Sequence, residues 1–295
     1  MPRGLTRIVT VAQPFCFDVD VTLARIERTL ASARQRGAGL VVFPECALGG
    51  YIREPIAGES APTLPRALDP EGPEIERLIA MAGDMVVCLG YSEGGTRALY
   101  SSAVCVSGDG VLGRHRKVHL PPGERFAYTA GDSFEAFDTP VGRVGMLLCY
   151  DKLFADSSRV LVADGAQIIA SMAAWPVDRR RPAGRLAADR QVRHFDVIDQ
   201  ARAVEHQVVW VSANATGNWG PLRFPGRGKI VCPDGVVLAR TGSRSRMAMA
   251  ELDPVAEIEA VRLDIDHLAD RRPHAYLDPL HHTSVTPLTV AASTT

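Results

Sequence analysis

The chain has 295 residues, 46% of them hydrophobic and 23% charged, with a formal net charge of −1. That length suits one large α/β domain or two small ones, and the near-zero charge excludes bulk attraction to nucleic acid or an anionic membrane. Apolar runs fall far short of the roughly 20 residues of a membrane helix, and MPRGLTRIVTVAQPF is too short and broken for a secretion signal.

In chain order, RIVTVAQ (7–13) alternates as a strand does. Asp18 or Asp20 caps a helix in which Val19, Leu23, Ile26 and Leu30 recur at helical spacing until Gly37. GLVVFPE (39–45) is a short buried strand ending at an acid. A helix is predicted over 73–82, starting at Pro73, and MVVCLGYS and LYSSAVCVS follow as strands, with a hairpin signal in SGDGVLG (107–113). VGMLLC is a strand, 154–163 a helix, QIIASMA a strand, 196–206 a helix and VVWVSAN a strand. GKIVCPDGVVLAR (228–240) forms a hairpin around Pro233-Asp234-Gly235, and RMAMAEL is a last strand. From about Asp253 the chain reads as a polar, extended tail. Interleaved strands and helices imply sheets covered by helices, the hairpins mean the sheets are not purely parallel, and no linker or repeat divides the chain.

Six cysteines show no C-x-x-C pair and no metal-ligand spacing, and histidines cluster only at His281-His282. This composition reads as reduced thiols in a cytoplasmic protein, with no metal and no cofactor. Only three of the 33 basic residues are lysine: Lys117, Lys152 and Lys229. Lysine can lose its proton and arginine cannot, so a surviving lysine marks a place where arginine will not do.

Three predicted strand ends carry polar groups: Glu45 after VVFP, Lys117 after GRHR and Cys149 after GMLL. Taken alone, Cys149 is either one more buried apolar residue, which is the commoner case, or a nucleophile. Glu45 alone reads as a turn residue and Lys117 as a solvated one. Together they form a chemically sensible set, since a carboxylate can take the thiol proton and an ammonium stabilises thiolate and oxyanion. A helix starting just after Cys149 would lower the thiol pKa further.

The order Glu45, Lys117, Cys149 resembles the nitrilase superfamily of carbon–nitrogen hydrolases. LVVFPECALGGY resembles the glutamate block, GRHRKVHLPPGERFAYTAGD the lysine block and GRVGMLLCYDKLFADSSRVLVADGAQII the cysteine block; QARAVEHQVVWVSANATG, FPGRGKIVCPDGVVLA and DRRPHAYL match later blocks. The likeness runs from about residue 6 to about 280, which gives a carbon–nitrogen hydrolase domain over 1–280 and a C-terminal tail over 281–295. It implies a four-layer α-β-β-α sandwich that assembles as a homodimer or higher homo-oligomer through its covering helices. The roles it implies are Cys149 as nucleophile, Glu45 as general base, Lys117 as oxyanion stabiliser and Glu124 as a second acid positioning the site. The amide of Tyr150 would be the other oxyanion donor. The implied reaction attacks an amide, carbamoyl or nitrile carbon, forms a thioester and hydrolyses it. Two departures stand out: Phe154-Ala155-Asp156 where the family has Phe-Pro-Glu, and Glu205-His206 where it has Glu-Asn.

Around this set, Tyr51, Tyr150, Phe126 and Trp175 are aromatics that line the site or fill core, with Trp175 the best wall candidate. Asn214 either hydrogen-bonds at the site or caps a turn. The stretch 178–195 carries Arg179, Arg180, Arg181, Arg185, Arg190 and Arg193; it is a solvated face, a lid, an oligomer contact or a rim that favours an anionic substrate end. Cys46, beside Glu45, reads as packing. The expected activity is hydrolysis of a small linear amide or N-carbamoyl compound. Cys149-Tyr150-Asp151, where family nitrilases have Cys-Trp-Glu, leans away from nitriles; acyl transfer to an amine is the other alternative, and the intact Glu-Lys-Cys set argues against a non-catalytic scaffold.

Overall fold

A computed structural model of the chain describes residues 4–53, 63–95, 98–242 and 246–276. The 281–295 tail, with His281 and His282, lies outside them. In chain order the elements are β1 (Thr6–Val11), α1 (Val19–Gln35), β2 (Leu40–Val42), α2 (Pro73–Ala82), β3 (Val86–Gly94), β4 (Leu99–Ser107), β5 (Gly110–Arg116), β6 (Ala136–Thr139), β7 (Gly142–Leu148), α3 (Ala155–Ala163) and β8 (Ile168–Ala173). There follow α4 (Arg190–His206), β9 (Val209–Asn214), β10 (Thr216–Trp219), β11 (Leu222–Pro225), β12 (Lys229–Val231), β13 (Val237–Arg240), β14 (Met247–Leu252) and α5 (Pro254–Asp264).

Two six-stranded sheets form, in the orders β14-β1-β2-β3-β4-β5 and β13-β12-β9-β8-β7-β6. Each has a parallel centre and antiparallel flanks. The central strands are apolar on both faces, as parallel strands covered on both sides must be. Side-chain alternation then divides the layers. Ile8, Leu40, Val42 and Val86 meet Val144, Met146 and Leu148 between the sheets. Val9, Val41 and Val87 face Leu23 and Ile26 of α1 and Leu78 of α2, while Leu147 and Ile169 face Leu161 of α3 and Ala203 of α4. The result is the expected α-β-β-α sandwich.

Local signals explain most boundaries. Asp18, not Asp20, caps α1 by accepting from Val21 N, and Pro73 opens α2. Gly235, at φ +88°, makes the β12–β13 turn. Two expectations need correction. The region after Asp253 is not an extended tail: Pro254–Asp264 is helical, with the Asp253 side chain accepting from Val255 N and Ala256 N. An Asp-Pro pair is a cap followed by a first-turn proline, but only Pro254 and Ile258 are buried, so the apolar period is faint. Helix α4 starts at Arg190 and not at 196, because Asp189 accepts from Gln191 N and Val192 N. The short β6 and the β10–β11 hairpin carry too few alternating residues to stand out in the sequence.

Gly90 of β3 lets the strand approach the segment after β2. A Cβ there would lie 2.6 Å from Cys46 N and 2.7 Å from Glu45 Cα. Both are backbone atoms that cannot swing aside. Gly90→Ala is therefore expected to destabilise the protein by about 1–3 kcal/mol, read as a lower urea midpoint. An unchanged midpoint would mean that the two backbones separate freely.

Candidate active site

Cys149 closes β7 at a positive φ of 44° and opens a short 3-10 turn, Cys149–Leu153. Its thiol is in the wall of a cavity of about 530 Å³ at the carboxyl ends of the second sheet's parallel strands. The turn is braced by Asp151, which is fully buried. Asp151 Oδ2 accepts from Leu148 N at 3.2 Å and His115 Nε2 at 3.0 Å; Oδ1 accepts from His119 N at 2.8 Å and His119 Nδ1 at 2.9 Å. Burial opposes the charge, but hydrogen bonds from His115 and His119 outweigh it and hold the carboxyl well below its ordinary pKa. An ionised carboxylate only accepts, so both imidazoles present an N–H to it. His115 belongs to β5 and His119 follows Lys117, so Asp151 fastens the Cys149 turn to the segment that delivers the lysine.

Lys117 follows β5 directly, its backbone N bonded to Ser101 O at 2.9 Å. The Nζ donates to Glu45 Oε1 at 2.7 Å and to Glu124 Oε1 and Oε2 at 2.8 and 2.7 Å. Burial by itself would lower the Lys117 pKa, but Glu124 and Glu45 raise it well above the ordinary lysine value. Glu45 also accepts from Ser101 Oγ at 3.1 Å and, across to the second sheet, from Ala174 N at 2.9 Å. Burial raises the Glu124 pKa while Lys117 resists, and Tyr51 donates its hydroxyl to Glu124 Oε1 at 2.7 Å. Burial, with Glu45 next, pushes the Cys149 thiol well above its usual pKa, and Lys117 pulls the other way. The resting group at neutral pH is a thiol, which needs a proton acceptor before it can attack.

Tyr51, Glu124, Cys149, Tyr150 and Trp175 share the cavity wall, joined by Arg179, Arg180, Arg190 and His194 from the arginine-rich stretch. Arg190 pairs with buried Asp178 at 2.9 Å, whose carboxylate also accepts from Arg180 N at 2.9 Å and Arg181 N at 3.2 Å. Asn214 lies behind the wall. It accepts from Trp175 N at 2.8 Å and donates to Trp175 O at 3.1 Å and Gly226 O at 2.9 Å, so it positions the tryptophan backbone. Phe126 is exposed, and Cys46 packs with Phe15, Ala174 and Phe224.

Sequence periodicity gives no sign of Asp151, His115, His119 or Ser101. The available signal is polarity out of place: an acid two residues after the thiol at the end of an apolar strand, and serines within LYSSAVCVS. All three lysines are fully buried, with Lys152 and Lys229 on either side of Asp199. Among the described residues no helix is long and apolar enough to cross a membrane, and no group of His, Cys, Asp or Glu is arranged to hold a metal ion.

A model of the carbon–nitrogen hydrolase family matches residues 5–262. The chain is 30% identical over 244 residues to a nitrilase of Pyrococcus abyssi, covering 81% of this chain and 86% of that one. It is 32% identical over 242 residues to an (R)-stereoselective amidase of Pseudomonas sp, covering 79% of each. In fold it is similar to a carbon–nitrogen hydrolase from Helicobacter pylori G27, with a TM-score of 0.78, 22% identity, and 94% of this chain and 98% of that one covered.

The Asp151 cluster sets a pH dependence. A carboxyl whose folded pKa is depressed stabilises the fold above the unfolded value of about 4 and loses that contribution as pH falls through the folded value. Asp151→Asn should cost on the order of 3 kcal/mol at pH 7, because it leaves buried donors facing an amide. Chemical denaturation from neutral pH downward should show the gap to wild type narrowing below about pH 4. A gap that is constant with pH would show that the Asp151 charge is not what holds the turn.

Proposed function

We propose that this chain, which belongs to the carbon–nitrogen hydrolase family, hydrolyses the C–N bond of a small linear amide or N-carbamoyl compound through a thioester on Cys149. The observation that carries this reading is the buried set Glu45, Lys117 and Glu124, hydrogen-bonded within 2.8 Å, in which Glu124 lines the same cavity as Cys149. The thiol of Cys149 is un-ionised at rest and Glu45 is the carboxylate that raises its pKa most. Glu45 takes the proton as sulfur attacks the carbonyl carbon. The Lys117 ammonium and the Tyr150 backbone N–H stabilise the oxyanion. The C–N bond breaks as the proton passes to nitrogen, which leaves as ammonia or an amine. Water then adds to the thioester with Glu45 again as base, releasing the acid and restoring the thiol. Glu124, tied to Lys117 and Tyr51, keeps the ammonium aimed.

Tyr51, Tyr150 and Trp175 supply the apolar substrate wall. Arg179, Arg180 and Arg190 on the rim favour a carboxylate at the far end of the substrate, since guanidinium forks suit carboxylates. The reading includes a homo-oligomer joined through the covering helices, supported by exposed Val160 on α3 and Val197 and Val204 on α4. Six unpaired cysteines suit a reducing cytoplasm.

Cys149→Ala should abolish turnover with the fold intact, and substrate should leave a mass adduct on wild-type Cys149. An adduct on Cys46, with Cys149→Ala still active, would overturn the assignment. Lys117→Arg keeps the charge but changes its shape and should cost roughly a hundredfold or more in kcat. Glu45→Gln should give no thioester burst, because an amide cannot accept the proton.

Ammonia release from amides, carbamoyl compounds and nitriles, with and without an amine acceptor, separates hydrolysis from the nitrilase and acyl-transfer alternatives. Within that panel, acidic amides should have a lower KM than neutral ones of the same length. Replacing Arg179 and Arg180 together by Gln should narrow that difference; equal KM values in wild type would remove the carboxylate preference.

A further inference from the structure

Lys117 is accounted for by its place between Glu45 and Glu124. Lys152 and Lys229 take no part in that set, yet both are fully buried. Lys152 belongs to the turn that begins with Cys149. Its Nζ donates to Asp199 Oδ1 on α4 at 2.8 Å, and stands 3.3 Å from the centroid of the Phe195 ring and 5.0 Å from that of Trp175. Lys229 on β12 donates to Asp199 Oδ2 at 2.5 Å and lies 3.2 Å from Asp196 Oδ1. Trp210 Nε1 donates to Asp199 Oδ1 at 3.0 Å. Phe195 and Trp175 in turn pack with Cys149, so the ammonium is set against the same rings that wall the thiol. Helix α4 also grips the backbone of the turn, since Arg202 donates to the carbonyls of Lys152 and Leu153 at 3.1 and 3.0 Å.

We propose that Lys152 is a positioning residue for the Cys149 reaction: its ammonium, held between Asp199 and the faces of Phe195 and Trp175, fixes the turn and the cavity wall while protonated and releases them when it is not. This role rests on the reaction assigned above to Cys149. A cation held over aromatic faces and a carboxylate in a dry site is attracted to both, and a neutral amine keeps little of either attraction. Arginine would stay charged at every accessible pH and methionine would never be charged.

The charged and titratable groups facing Lys152 are Cys149 on its own turn, Asp199 on α4 and Lys229 on β12. Asp196 and Arg227 reach it through Lys229, and Arg202 meets its carbonyl. Burial lowers the Lys152 pKa most and Lys229 lowers it further; Asp199 and Cys149 resist, and the balance is about 8. The ammonium therefore prevails below about pH 8 and the amine above it.

With an amide that the enzyme turns over, kcat should fall through one ionisation near pH 8, by about fivefold from pH 7 to pH 9. Lys152→Met should have a kcat about tenfold lower at pH 7 and lack that step, and Lys152→Arg should move the fall beyond about pH 9. Without substrate, tryptophan fluorescence should titrate with the same midpoint, because Trp175 and Trp210 both touch the cluster. The fluorescence step should persist in Cys149→Ala, which separates it from ionisation of the thiol, and vanish in Lys152→Met. Wild-type fluorescence without a step between about pH 7 and 9.5, or a step that survives Lys152→Met, overturns the proposal. So does a step lost in Cys149→Ala, which also decides the matter if Lys152→Met does not fold. The fluorescence titration needs no turnover, so failure of the amide reaction and failure of the Lys152 role are read separately.

Discussion

Lys117 Nζ lies 2.7–2.8 Å from oxygens of both Glu45 and Glu124, with all three groups withdrawn from water. Each ion taken out of water costs several kcal/mol, which only well-placed partners repay. The partners come from both sheets: Glu45 from the segment after β2, Ser101 from β4, Tyr51 from the loop beyond Glu45 and Ala174 N from just after β8. A change in how the sheets stack would leave one of these charges unmatched. The cluster therefore ties the relative placement of the two sheets to the chemistry at their common edge, and the close approach of Gly90 to Glu45 is one local condition of it.

The turn carrying Cys149 is held from two sides by different means. Asp151 ties it to β5 and His119 through three hydrogen bonds to one carboxylate, which also accepts from Leu148 N. Lys152 and Arg202 tie it to α4 through a buried ion pair and two backbone carbonyls. A residue in left-handed backbone conformation costs free energy and persists only where its surroundings over-determine it. Here the surroundings are two independent sets of polar contacts meeting within five residues, Cys149–Leu153.

Much of this was legible in the sequence because apolar alternation and strand-end chemistry are local. Val19, Leu23, Ile26 and Leu30 marked α1, and the strands ending at Glu45 and Cys149 emerged from their hydrophobic runs. The α5 helix was hidden because its buried face is nearly absent, although the Asp253-Pro254 pair signalled its start. The early start of α4 was hidden similarly, behind Asp189 and a charged first turn. Asp151 and Asp199 were illegible for another reason. Apart from Leu148 and Trp210, their partners lie 30 to 47 residues away, so no window of sequence shows a buried carboxylate to be matched. Asn214 shows the same limit, since which way an amide faces depends on Trp175 and Gly226, not on its own strand.

The rarity of lysine has a consequence for the outside of the molecule. With all three ammonium groups interior, the exterior displays guanidinium groups and no ε-amine. On the proposed thioester route, an acyl group carried on sulfur would find water, but no lysine on the protein's own surface, as an acceptor. For the same reason, amine-reactive dyes and lysine-directed cross-linkers would find no side chain to couple to until the fold opens.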